Sequence, residues 1–218
     1  MHALWHPLLQ SLRIALLATA GAGLVAIPLA YLLARRQFSG KALAETLLTL
    51  PLVLPPTVVG YFLIVLLGRN GLLGRPFHFS IMWTWYGAAV AAGVVAFPLL
   101  FMPTRASFEG VDRELEDISR LMGANRFQVF WHVSLPLAGR GIASGFLLAF
   151  ARALGEFGAT VMVLGIRDST RTLPIFVYDE FEELNPAGFV PAVLLLFGVA
   201  LVVIVLYNHL FVRGSKKN

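Results

Sequence analysis

The chain contains no cysteine and few charged side chains. Without thiols it has neither a disulfide framework nor a thiolate metal site, and its five histidines are scattered along the sequence. Asp, Glu, Lys and Arg make up 13% of the residues, about half of the roughly 25% that soluble domains carry. The composition therefore excludes an ordinary soluble enzyme and indicates a membrane protein.

Long uncharged runs divide the sequence, and a helix needs about 20 residues to cross the hydrocarbon of a bilayer. The first run continues to Leu33 and ends at Arg35-Arg36, so it is interpreted as an uncleaved span and not as a signal peptide. We expect an all-α integral membrane protein with one domain, 1–218, and five transmembrane helices. The approximate spans are 11–34, 46–67, 81–104, 141–166 and 187–212.

Basic residues are concentrated in alternate loops. The loops at 35–41 and 105–140 and the C-terminal tail are basic, whereas the loop from Asp168 to Glu183 is mainly acidic. Because basic loops stay cytoplasmic, we expect a multi-pass inner-membrane protein with a periplasmic N-terminus and a cytoplasmic C-terminus. The basic residues flank spans and form no continuous soluble face, so the net charge of +5 predicts no nucleic-acid partner.

The segment 111–136 is too polar to cross a membrane and too regular for a plain linker. Asp112 is placed to cap a first short helix, on which Leu115, Ile118 and Met122 share one face. Gly123 suits the left-handed position that ends a helix. These features predict a short amphipathic helix with a glycine turn after it.

A second short helix is predicted after this turn. Asn125 and Gln128 have the spacing of a capping box, and Pro136 is expected to end the helix. Its aromatic face comprises Phe127, Phe130 and Trp131. Such a helix pair is either an anchor in the lipid headgroups or a docking element for a cytoplasmic partner, and the pattern leaves both open.

The same segment resembles the EAA loop of ABC importer permeases. Residues 117–119 (Asp-Ile-Ser) stand at the Glu-Ala-Ala positions, and Gly123, Val133 and Leu135-Pro136 match the rest of the pattern. The resemblance implies a type I importer permease fold and a coupling helix, 117–124, that docks on an ATPase subunit. The expected coupling residues are Leu115, Glu116, Asp117, Ile118, Ser119, Met122, Gly123, Ala124, Phe127, Leu135 and Pro136.

Two further segments are similar to molybdate permeases: 50–61 to their second span and 149–160 to their fourth. Sulfate permeases share much of the latter but usually have a longer chain with an additional span. The resemblance implies a homodimer in the membrane lipid, with each copy docked on a cytoplasmic ABC ATPase subunit. It further implies that a periplasmic binding protein delivers molybdate; sulfate and tungstate permeases are the alternatives.

Two groups of residues inside spans are candidates for the pathway or gate. Pro51, Pro55 and Pro56, followed by Thr57, interrupt the second span, and such a break either lines the anion path or only kinks the helix. Arg152 and Glu156 are expected on one face of the fourth span, where buried charges are either paired for structure or part of the path. Both questions stay open at this point.

The sequence has no Gly-x-x-x-x-Gly-Lys-Ser/Thr phosphate loop. The chain is therefore expected to be non-catalytic and to hold no cofactor, with ATP and magnesium bound by the partner ATPase. A channel or secondary transporter that needs no ATPase is one rival, but it leaves the segment 111–136 without a function. A membrane-embedded enzyme that uses Glu156 as acid or base is another, and Arg152 is the one other charged group at that depth.

Overall fold

The structure is a computed structural model that describes residues 2–77, 80–165 and 171–212. Every regular element in these ranges is helical, which confirms the predicted fold class, and no β-strand occurs among them. Asp168 and the basic tail residues Arg213, Lys216 and Lys217, which support the predicted orientation, lie outside the described residues.

Two long helices, α1 (His2–Arg35) and α5 (Trp85–Glu109), pack along each other at the centre of the core. Alanines at a spacing of three or four residues form a buried column on α1, because this spacing keeps them on one helix face. The column comprises Ala15, Ala18, Ala22, Ala26 and Ala30. A Cβ on Gly93 of α5 would lie 3.1 Å from the Ala18 carbonyl oxygen, so small side chains bring the two backbones close together.

The predicted second span is sharply bent. It consists of α2 (Lys41–Thr49), a 3₁₀ turn (Leu50–Leu52) and α3 (Pro56–Leu67). The chain bends by 111° between the two halves. Pro55 has an extended backbone (ψ 133°) because a residue before a proline avoids the helical region, and Pro56 then starts α3. The proline cluster thus ends one helix and begins another in a new direction.

The continuous fourth span predicted over 141–166 is wrong in one respect, because the structure divides it. α9 (Gly139–Leu154) ends at Gly155, and α10 (Gly158–Leu164) starts three residues later. Glu156 therefore lies in the break and not on the same helix as Arg152. α9 also follows the preceding helix, Arg126–Leu137, at an angle of 70°.

The remaining elements complete the described chain. They are α4 (Gly74–Phe77), α6 (Arg113–Leu121), α7 (Arg126–Val129), α8 (Leu135–Leu137), α11 (Leu173–Glu182) and α12 (Pro186–Tyr207), with a π turn at Phe130–Ser134 between α7 and α8 and another at Asn208–Val212. The Ser11 hydroxyl accepts a hydrogen bond from the Leu173 N–H at 2.7 Å and holds α11 against α1. A hydrogen bond to Glu182 raises the pKa of Tyr178 on α11.

Three described helices are long and apolar enough to cross a membrane alone: Leu4–Arg35, Trp85–Glu109 and Pro186–Phe211. Two bent pairs pass the same test when their halves are taken together, and counting each as one span gives up to five. The outer faces of α12 are largely exposed, since only 11% of its apolar window is buried inside the chain. This helix therefore needs lipid or another protein around it.

Candidate functional site

Residues 113–137 form two short helices, which we call the short-helix pair: α6 and the helix Arg126–Leu137. The Asp112 carboxylate caps α6 by accepting from the Glu114 N–H at 2.9 Å. Gly123 has φ +93°, and Asn125 and Gln128 form a complete capping box with hydrogen bonds of 2.8 and 2.9 Å. The predicted caps and the glycine turn are confirmed.

The predicted end of the second helix at Pro136 is wrong, because the helix continues to Leu137. A π turn over Phe130–Ser134 precedes the proline, so that the Leu135 N–H bonds the Phe130 carbonyl five residues back. This wider turn relieves the clash that a proline ring normally makes with the preceding helical turn. Pro136 therefore continues the helix, and the bend comes after Leu137.

The short-helix pair carries exposed apolar side chains, which together we call the docking face. Its members are Leu115, Ile118, Leu121, Met122, Phe127 and Trp131. Leu121 and Met122 are 88% and 84% exposed. Leu121 was not among the predicted coupling residues, although its spacing of three from Ile118 could have indicated it. A shallow groove of about 370 Å³ lies beside this face and includes Ser119, Gly123 and Ala124 in its lining.

Glu116 differs from the rest of α6, because it is 2% exposed and is the one buried residue of that helix. Its Oε1 atom lies 2.8 Å from Arg35 Nη2 and accepts hydrogen bonds from Arg35 Nε at 2.9 Å and from the Ser134 hydroxyl at 2.7 Å. Asp117, the neighbour aligned with the family glutamate, is exposed and pairs with Arg120 at 2.7 Å. The sequence therefore missed Arg35 and Ser134 and grouped Glu116 with residues that face outward.

The predicted aromatic face also has an exposed part and a part that faces the core. Phe127 and Trp131 are exposed and meet edge to face, with ring centroids 6.0 Å apart. Phe130 turns inward, where its ring lies 4.9 Å from Tyr31 of α1 and 6.2 Å from Phe108 of α5. Leu135 also packs against the core. These inward residues support the short-helix pair and are not part of its exposed surface.

The structure brings the two predicted pathway groups together, since α3 packs on α10. A Cβ added to Gly158 would lie 3.0 Å from the Pro56 Cβ and 3.3 Å from the Thr57 Cγ2. The close packing continues one turn later, because a Cβ on Gly60 would meet Ala159 and Met162 at 3.1 and 2.8 Å. The start of α3 thus lies against the start of α10, which follows the break at Gly155.

Arg152 and Glu156 form an ion pair across the end of α9, although their helix does not continue between them. The other Glu156 oxygen accepts from the Ala159 N–H at 2.8 Å and so caps α10. Glu156 is buried, whereas the Arg152 side chain is 31% exposed. The expectation that both residues share one helix face is wrong, because Gly155 ends α9 before Glu156. The pairing that was one of the two alternatives is present, since the two residues form an ion pair with each other.

Among the described residues, no group of three or more His, Cys, Asp or Glu side chains is arranged to hold a metal ion. The features that are present are broken apolar helices, paired buried charges and an exposed apolar docking face. Together they define a helical membrane protein of the transport class.

The chain belongs to the family of binding-protein-dependent transport system inner membrane components, which matches residues 26–214. It is 44% identical over 189 residues to the molybdenum transport system permease protein ModB of Escherichia coli (strain K12), covering 84% of this chain and 82% of the relative. It is 34% identical over 221 residues to the sulfate transport system permease protein CysW of Synechococcus elongatus, covering 96% and 77%. The predicted resemblance to ABC importer permeases is confirmed.

A solved structure supports the same fold. The chain superposes with a TM-score of 0.73 and 16% identity on a bacterial alginate ABC transporter in complex with an alginate-bound periplasmic protein, covering 97% of this chain and 79% of the other. The chain is therefore a multi-pass inner-membrane protein with the fold of ABC importer permeases.

Proposed function

We propose that the chain is the permease subunit of an ATP-driven importer that translocates molybdate. The observation that carries the proposal is the docking face in a chain of this family. Leu121 and Met122 are apolar and almost fully exposed, on a capped pair of helices built around a left-handed glycine. Apolar helix side chains of this kind insert into the groove of a partner, and we assign that partner as a cytoplasmic ABC ATPase that binds ATP and magnesium.

The substrate assignment is supported by two observations. The identity to the molybdenum permease exceeds that to the sulfate permease, 44% against 34%. The segments 50–61 and 149–160, which resemble molybdate permeases, contain the starts of α3 and α10, which lie against each other. A periplasmic binding protein would deliver the anion and supply most of the selectivity, with tungstate and sulfate as the competing substrates.

The proposed assembly is a homodimer in the lipid bilayer with five spans per copy, an outer N-terminus and an inner C-terminus. The largely exposed α12 and the exposed outer side of α1 offer surfaces for lipid and for the second copy. The pathway then lies near Pro51, Pro55, Pro56, Thr57, Arg152 and Glu156. ATP binding would move the short-helix pair, and the spans would change between inward-open and outward-open states as rigid bodies.

The docking face is tested by the double variant Leu121→Ser/Met122→Ser. We expect normal abundance in the membrane, loss of co-purifying ATPase and loss of molybdate uptake in cells. The matched control is Leu72→Ser/Leu73→Ser, another adjacent and exposed pair, in the loop predicted to be periplasmic. Undiminished ATPase binding by the Leu121/Met122 variant would refute the proposed docking site.

The substrate is tested in liposomes that contain the permease, its ATPase and the binding protein. We expect molybdate to stimulate ATP hydrolysis and to be taken up, with tungstate competing at higher concentration than molybdate and sulfate competing least. Calorimetry on the binding protein with the same three anions gives an independent ranking. Uptake that favours sulfate in both assays would overturn the molybdate assignment but leave the permease assignment intact.

A further inference from the structure

A single buried side chain attaches α6 to the rest of the molecule. Glu116 is the one buried residue in Arg113–Leu121, and the other side chains of this helix are exposed or half-buried. The helix follows the bend at Gly110–Asp112 and ends before the turn at Met122–Asn125, so the backbone is irregular on both sides. The position of α6 therefore depends strongly on the contacts of Glu116.

One of those contacts is local, an ion pair of 3.3 Å between Glu116 Oε2 and Arg120 Nη2 on the same helix, and the others reach segments that are distant in sequence. Arg35 is the last residue of α1 and lies 81 positions before Glu116, whereas Ser134 ends the π turn and lies 18 positions after it. Arg35 is itself fixed by a second hydrogen bond, from Nη2 to the Val111 carbonyl at 3.0 Å. The Glu116 carboxylate thus joins α6, the second short helix and the end of the first membrane helix.

An aromatic cluster lies on the same face of α1, one turn before Arg35. Tyr31 contacts Phe108 at the end of α5 and Phe130 in the π turn, with ring centroids 5.3 and 4.9 Å apart. The second short helix is therefore packed on the ends of two membrane helices. α6 has no buried apolar side chain, and its one buried residue, Glu116, makes ionic and hydrogen-bonded contacts.

We propose that Glu116 is a positioning residue that transmits movement of the docking face to α1. Its ion pair with Arg35 and its hydrogen bond from Ser134 make α6, the π turn and the cytoplasmic end of α1 move as one body. A docking face without this connection would still bind a partner, but its displacement would be lost in the irregular backbone around α6. The inference rests on the proposed function and assigns Glu116 a role separate from docking.

The test compares Glu116→Gln with Glu114→Gln in the complete transporter reconstituted with ATPase and binding protein. Both changes remove one carboxylate from α6, but Glu114 is exposed. For Glu116→Gln we expect ATPase association within about twofold of the parent and a loss of uptake on the order of tenfold. ATP hydrolysis should continue without stimulation by the loaded binding protein. Glu114→Gln should behave as the parent in all three assays.

A distance measurement separates positioning from general damage. Because the chain has no cysteine, Arg113→Cys and Leu24→Cys place two spin labels, one at the start of α6 and one on the exposed side of α1. We expect a narrow distance distribution in the parent and a broad one with Glu116→Gln. A narrow distribution together with full stimulation in Glu116→Gln would overturn the proposal.

Two further results keep the test decisive. If Glu116→Gln does not accumulate in the membrane, Ser134→Ala replaces it, since this variant removes one donor and leaves the ion pair. Partial broadening and partial loss of stimulation would support the proposal, and parent-like behaviour would overturn it. Failure of the proposed function has a different signature, namely ATPase association that survives Leu121→Ser/Met122→Ser.

Discussion

The two buried carboxylates, Glu116 and Glu156, invite comparison because each is 2% exposed and each pairs with an arginine. The partners of Glu156 are local: Arg152 is four residues before it, and the Ala159 N–H is three residues after it. Glu116 has one local partner, Arg120, at 3.3 Å, but its shorter contacts are with residues 81 and 18 positions away. The same chemical arrangement therefore stabilises a helix break in one region and connects separate segments in the other.

This difference has a consequence for what each region does. The contacts of Glu156 satisfy a helix end inside an apolar segment, where an unpaired polar group is costly. The contacts of Glu116 hold a helix whose apolar side chains are exposed or half-exposed and that buries no other side chain. We expect loss of Glu156 to affect mainly stability and loss of Glu116 to affect mainly coupling.

The largest stability effect should follow from Glu156→Leu. The change leaves the Arg152 guanidinium without its carboxylate and α10 without its cap, and breaking a buried pair costs about 3–5 kcal/mol. We expect a lower thermal unfolding midpoint in detergent and less protein in the membrane. The double variant Arg152→Met/Glu156→Leu is the control and should recover most of the stability. A double variant that is stable and binds the ATPase but does not transport would favour a pathway role for the pair.

An intermediate effect is expected from Gly123→Val, which acts on the shape of the short-helix pair. Gly123 has φ +93°, and this region costs a residue with a Cβ about 1–2 kcal/mol. The angle between the two helices should change, so that ATPase association and uptake fall while membrane abundance stays normal. Gly139→Val is the control, because a Cβ there meets nothing within 4 Å and the backbone is not left-handed. Intact association and uptake in Gly123→Val would contradict the coupling role.

A smaller effect is expected from Asn125→Ala. The change removes the side-chain oxygen that accepts from the Gln128 N–H, and the loss of such a cap costs about 1 kcal/mol. Hydrogen exchange at residues 126–129 should become faster, with a modest decrease in ATPase association. Arg126→Ala, on the exposed side of the same turn, should leave the exchange rates close to those of the parent. Unchanged exchange in Asn125→Ala would show that the capping box does not hold this helix.

The smallest stability effect should come from Asp117→Asn, beside Glu116. The Asp117 side chain is 65% exposed in its pair with Arg120, and exposed pairs contribute about 0–1 kcal/mol. We expect the thermal midpoint of the purified protein to stay close to that of the parent. A loss of stability as large as that of Glu156→Leu would remove the distinction between buried and exposed carboxylates on which the comparison depends.

Local chemistry explains what the sequence could predict. The cap at Asp112, the turn at Gly123 and the Asn125–Gln128 box each involve residues within a few positions, so their spacing alone indicated them. Arg35, the partner of Glu116 on α1, was out of reach, because a contact across 81 residues leaves no local pattern. The end of α9 at Gly155 was missed since the segment is apolar on both sides and glycine is common in membrane helices.

Two proline assignments show the same limit. Pro51, Pro55 and Pro56 correctly indicated a break, because three prolines within six residues remove donors and restrict the residues before them. Pro136 did not end its helix, since the π turn before it relieves the clash. The effect of a proline depends on the turn that precedes it, and the sequence pattern did not reveal that turn.

The central claim is that the docking face contacts an ATPase, and a single spin label tests it most directly. Leu121→Cys provides the one thiol of a chain without cysteine, and Leu24→Cys, on the exposed side of α1, is the control. We predict that binding of stoichiometric ATPase immobilises the label at Leu121 and leaves the label at Leu24 unchanged. A label at Leu121 that stays mobile while the ATPase is fully bound would contradict the account.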